Sequence, residues 1–81
     1  MARVHIIAKA FVARAEAQGM KGKRRDELAL EFFLGAMTQA VANDDGDMVN
    51  VLGQNAAIIS ARGFSWVQEV AKHGDASLSK G

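Results

Sequence analysis

Residue types that carry chemistry are few in this chain and badly spaced for it. His5 and His73 stand at opposite ends, and neither has a neighbour at metal-ligand spacing. Both read as solvent-facing or terminal imidazoles. The run Asn43-Asp44-Asp45-Gly46-Asp47 superficially suggests calcium. A calcium loop opening at Asp45 needs glycine at its sixth position and glutamate at its twelfth, where this chain has Asn50 and Ala56. Starting at Asp44 does no better, so the run is a capping turn. Ser65 lies in Gly63-Phe64-Ser65-Trp66-Val67, and a nucleophile elbow needs glycine where Val67 stands. Gly19-Met20-Lys21-Gly22-Lys23 lacks both the glycine spacing and the Ser or Thr of a phosphate loop. The chain has no cysteine, which removes disulfides and thiolate-bound zinc. The expectation is a non-enzymatic protein with no catalytic residue, no metal and no cofactor.

Binding chemistry is better represented. Lys21, Lys23, Arg24 and Arg25 crowd one connector, backed by Arg14 or Arg3, and such a cluster can grip phosphates or an acidic partner. No aromatic stands ready nearby to stack on bases, because Phe32 and Phe33 belong to a core face. A solvated interhelical loop, offset by Asp26 and Glu27, accounts for the same residues. A helix-turn-helix reading centred on Gly63 puts Glu69 where a buried aliphatic belongs. It leaves only Gln68, Lys72 and His73 to read bases.

Charge is divided along the chain. Residues 1–25 hold seven cations against Glu16, a net +6, whereas residues 26–81 hold three cations against eight acids, a net −5. Such asymmetry suits either a charged partner or association of unlike faces between copies.

Eighty-one residues with 49% apolar and 23% charged content make one small globular domain rather than a disordered chain. The absence of proline leaves glycine as the punctuation. Apolar spacing predicts a first helix over about Ala2 to Gln18, with Val4, Ile7, Phe11 and Ala15 on one face and Gly19 ending it. Asp26 is expected to cap a second helix running to Ala42. Asp45 or Asp47 should cap a third, whose stripe is Val49, Leu52, Ala56 and Ile59 and which ends at Arg62 and Gly63. Ser65 with Gln68 has the capping-box spacing for a short fourth helix reaching His73. The fold class is all-α: a small bundle of three long helices plus a short C-terminal fourth. The domain covers 1–74, and 75–81 reads as a flexible tail.

No apolar run approaches the ~20 residues that span a bilayer. The first residues have neither an unbroken hydrophobic core nor a cleavage site. A cytoplasmic protein without membrane contact is expected.

The second helix carries the broadest apolar arc, roughly 200° against the ~100° a surface helix needs. Its polar strip holds only Glu27, Glu31, Thr38 and Gln39. With the alanine face of the first helix, it exceeds what one small core can cover, and surplus apolar surface marks a partner. Phe32, Leu34, Met48, Val51 and Ile58 are the expected oligomer interface. The leading expectation is a small interaction protein, homodimeric, that binds another protein as an accessory, regulatory or inhibitory factor of the kind phages and plasmids carry. The alternative is a nucleic-acid binder using Arg14, Lys21, Lys23, Arg24 and Arg25.

Overall fold

The computed structural model describes residues 2–73, with side chains from Val4 onward. The expected tail, Gly74 and the Arg3 side chain lie outside the described residues. Four helices follow in order: α1 (Ala2–Ala17), α2 (Gly22–Ala42), α3 (Gly46–Arg62) and α4 (Phe64–His73). This is the expected all-α bundle, three long helices and a short fourth.

The ends of α1 and α3 follow local chemistry. Gly19 takes φ +65°, the left-handed conformation that costs glycine nothing. Its N–H and that of Met20 donate to the Glu16 and Ala15 carbonyls, at 3.3 and 2.9 Å, closing a Schellman motif. Asp45 caps α3, its Oδ1 accepting from the Met48 N–H at 3.2 Å. The same turn finishes α2 with Asp44 at φ 56°, where the N–H groups of Asp44 and Asp45 reach the Val41 and Ala40 carbonyls.

The start of α2 corrects the expectation. It begins at Gly22 instead of Asp26, so Lys23, Arg24 and Arg25 occupy a first turn that contains no acid. Lys21 is the N-cap and supplies no side-chain hydrogen bond. Each exposed cation there costs about 0.3–1 kcal/mol against the helix dipole. What opposes that cost is tertiary: the Arg25 guanidinium lies 4.2 Å from the centre of the Phe64 ring, and the Asp26 carboxylate accepts the Phe64 N–H at 2.8 Å. Asp26 therefore caps α4, not the helix it belongs to. Ser65, expected as that cap, sits inside α4 and donates its hydroxyl to the Arg62 carbonyl at 2.9 Å.

Packing pairs α2 with α3 and α1 with α4, and the two pairs meet over one core. Phe11, Phe33, Leu52, Ile59, Val4, Val67 and Val70 are its fully buried large apolar side chains. Phe11 links the layers through ring contacts with Phe32 at 5.3 Å and Phe64 at 5.9 Å. On α3 the buried stripe is Met48, Leu52, Asn55, Ala56 and Ile59, and Val49, expected on that stripe, is half-buried at its flank. Asn55 is the polar member. Its Oδ1 accepts the Trp66 indole N–H at 2.8 Å, and its amide donates to the Val51 carbonyl at 2.8 Å.

Candidate interaction surfaces

The expected interface residues separate by depth. Met48 is buried, while Phe32, Val51 and Ile58 are half-buried against the core. Leu34 remains 39% exposed. Two residues not singled out as interface positions are more open: Val41 at 62% and Ile6 at 61%. These three are the exposed large apolar side chains among the described residues. Their signal was present in the sequence, since Val41 lies two turns beyond Leu34 on the same side of α2.

Val41 borders α3 beside Val49 and Asn50, and Leu34 precedes it by two turns on the same side of α2. Between them, the Met37 sulfur lies 3.6 Å from where a Cβ on Gly53 would sit, ordinary van der Waals distance, so α2 and α3 pack directly there. Leu30, half-buried, continues the line toward Lys23 at one end. Asp44 shares a shallow depression with Val41 and Val49 at the other. The result is an apolar ridge with a cation at one end and a carboxylate at the other.

Ile6 belongs to a different surface. It flanks an open cleft of about 310 Å³ between α1 and the α2–α3 turn, floored by Ile7, Ala40, Met48 and Leu52. Only Gln39, Asn43 and Asp45 contribute polar side chains to its lining.

The basic residues are partly gathered. Arg14 at the end of α1 and Arg24 on α2 line one depression with Gln18 and Glu31, over a floor that includes Phe11 and Phe32. Lys21 and Lys23 are exposed close by in sequence. Arg25 is not part of this outer set: it is half-buried on Phe64, and its Nε is buried without a hydrogen-bond partner. At the opposite end of α2 stand Asp44, Asp45 and Asp47, so cations crowd one end of this helix and carboxylates the other, with Asp26 and Glu27 interleaved at the basic end.

His5 is half-buried and His73 exposed, and the described residues hold no group of three His, Cys, Asp or Glu able to bind a metal. No helix among the described residues is long and apolar enough to cross a membrane. Comparison with protein-family models, with curated proteins and with solved structures finds no match to this chain.

Proposed function

We propose that this chain is a small, non-enzymatic helical interaction protein of the cytoplasm that binds another protein and is itself a homodimer. One observation carries the reading. Leu34 and Val41 stay exposed along the α2 edge, whereas every other large apolar side chain among the described residues except Ile6 is buried or half-buried. An 81-residue chain has little core to spare, so apolar area left on one edge is more use to a partner than to the monomer. A symmetric pair is the commonest way to cover such a face. The size suits an accessory, regulatory or inhibitory factor, which works by occupying a surface rather than by turnover. Light scattering behind size exclusion at micromolar concentration tests the dimer. A species of twice 8.6 kDa supports it, and a clean 8.6 kDa species opposes it.

A second reading, phosphate binding at the basic end of α2, is favoured by Arg14 and Arg24 facing one depression beside Lys21 and Lys23. It predicts nucleic-acid affinity that falls steeply with salt and is lost in a Lys21, Lys23, Arg24 to Ala triple variant. Absence of DNA and RNA binding by the unaltered protein at low salt rejects it.

A further inference from the structure

The exposed edge of α2 has a register as well as a hydrophobic character. Lys23, Leu30, Leu34, Met37 and Val41 fall on one stripe of α2, and with Glu27 they alternate steps of four and three residues, while Asp44 lies in the turn just past the helix, beside Val41. That is the spacing by which one helix keeps a seam toward another. Met37 and Leu30 are half-buried against α3 and still reach this edge, whereas Leu34, Val41, Lys23 and Asp44 are exposed. Leu34 stands 11 residues after Lys23 and 10 before Asp44. At about 1.5 Å per residue, the cation lies about 16 Å from it along the axis, and the turn that holds Asp44 opens past Ala42, about 12 Å from it in the opposite direction.

We propose that the occupant of this stripe is a second copy of the chain, laid antiparallel with Leu34 at the twofold axis. The inference rests on the homodimer reading and deepens it by fixing the seam and its direction. In this arrangement Lys23 meets Asp44 of the partner subunit, and Asp44 meets Lys23 of the partner subunit. Leu30 packs beside Met37 of the partner subunit, and the two copies of Leu34 face each other. Glu27, at the exposed rim, keeps its carboxylate in water beyond Val41 of the partner subunit. Charge decides the direction. A parallel pairing would set Lys23 on Lys23, Glu27 on Glu27 and Asp44 on Asp44, three like-charge contacts, with the helix dipoles aligned side by side. The antiparallel pairing replaces two of these with opposite-charge contacts and opposes the dipoles. The acidic turn that follows α2 in one copy then lies over the basic first turn of α2 in the other.

The absence of cysteine makes the test clean. Leu34→Cys, Lys23→Cys and Val41→Cys each place a single thiol on an exposed position of the helix, with folding checked by circular dichroism. A disulfide needs Cα atoms within about 7 Å. Along an antiparallel seam, paired copies of residue 23 are about 33 Å apart and of residue 41 about 21 Å, while those of residue 34 adjoin. Leu34→Cys should therefore give mostly covalent dimer under mild oxidation, and the other two should not. A dimer in which Lys23→Cys or Val41→Cys also links to itself is parallel. A dimer in which none of the three links has its seam elsewhere. Either result overturns the register and leaves the homodimer standing, whereas a monomer in sedimentation at micromolar concentration overturns both. Asp44→Asn, which tolerates the left-handed backbone, should weaken dimerisation roughly three- to tenfold for two exposed ion pairs and flatten its salt dependence. Unchanged affinity and salt dependence would contradict the charge matching.

Discussion

The carboxylate of Asp26, in the second turn of α2, accepts the backbone N–H of Phe64, the first residue of α4, at 2.8 Å and across 38 residues of chain. The same carboxylate occupies the space beside Gly63. A Cβ there would come within 2.7 Å of it, at a backbone φ of +68°. Sharp turn, missing side chain and borrowed cap form one joint between the α3–α4 corner and α2, and the Arg25 guanidinium covers Phe64 beside it.

That joint predicts non-additive mutations. Asp26→Ala leaves the Phe64 N–H without its acceptor and should cost about 1–2 kcal/mol, the range of a lost N-cap. Gly63→Ala should cost more than Gly19→Ala. Both glycines have positive φ, worth about 1–2 kcal/mol, but Gly19 faces open space and Gly63 faces Asp26. Because the alanine methyl displaces the carboxylate, Gly63→Ala should cost about 1 kcal/mol less in the Asp26→Ala background. Urea unfolding of the four proteins measures the cycle, and strict additivity rejects the joint.

Asn55 is wholly buried between a main-chain carbonyl and the Trp66 indole. Truncating it leaves a buried N–H unpaired and a gap in the α3–α4 contact. Asn55→Ala should destabilise by about 2–3 kcal/mol. The Trp66 indole N–H should exchange with solvent faster in that variant. Retained stability would mean that the hydrogen bond is dispensable.

The cationic first turn of α2 is locally unfavourable. Arg24→Glu, at an exposed position, should therefore raise stability by about 0.5 kcal/mol at low ionic strength, with the gain fading in high salt as screening sets in. A loss of stability would show that Arg24 makes a structural contact.

Helix number, order and most boundaries were legible in the sequence because their signals are local. Gly19, Asp45 and Gly63 end or start helices through bonds to residues a few positions away. The apolar face of α4 follows from spacing alone, and that of α1 does so for Val4, Phe11 and Ala15, with Ala8 fully buried where Ile7 was expected and Ile7 half-buried. Asp26 was misread for the opposite reason. A carboxylate before an apolar run has the form of a local cap, and nothing in its neighbourhood shows that the N–H it serves belongs to Phe64. With Asp26 engaged elsewhere, the N-cap of α2 is Lys21, five residues before Asp26, despite the three cations that follow it. Ser65 does not cap because α4 starts one residue before it, at Phe64, whose N–H Asp26 accepts. Asn55 was passed over although it falls on the Met48–Leu52–Ile59 stripe. A buried tryptophan needing an acceptor was the available clue. Of the candidate surface, the breadth of the α2 arc was visible. Which part of it α3 leaves uncovered depends on how the two helices settle around Met37 and Gly53, and that required the fold.

The central claim is that the Leu34–Val41 edge holds two copies together, and sedimentation equilibrium of the native chain beside a Leu34→Glu, Val41→Glu variant tests it most directly. Val41 is 62% exposed and Leu34 39%, so the variant should keep its helical content, with circular dichroism as the check that it is folded. The account predicts a concentration-dependent shift of the native chain toward twice 8.6 kDa and a variant that stays at 8.6 kDa throughout. Identical masses for the two proteins at every concentration would contradict it.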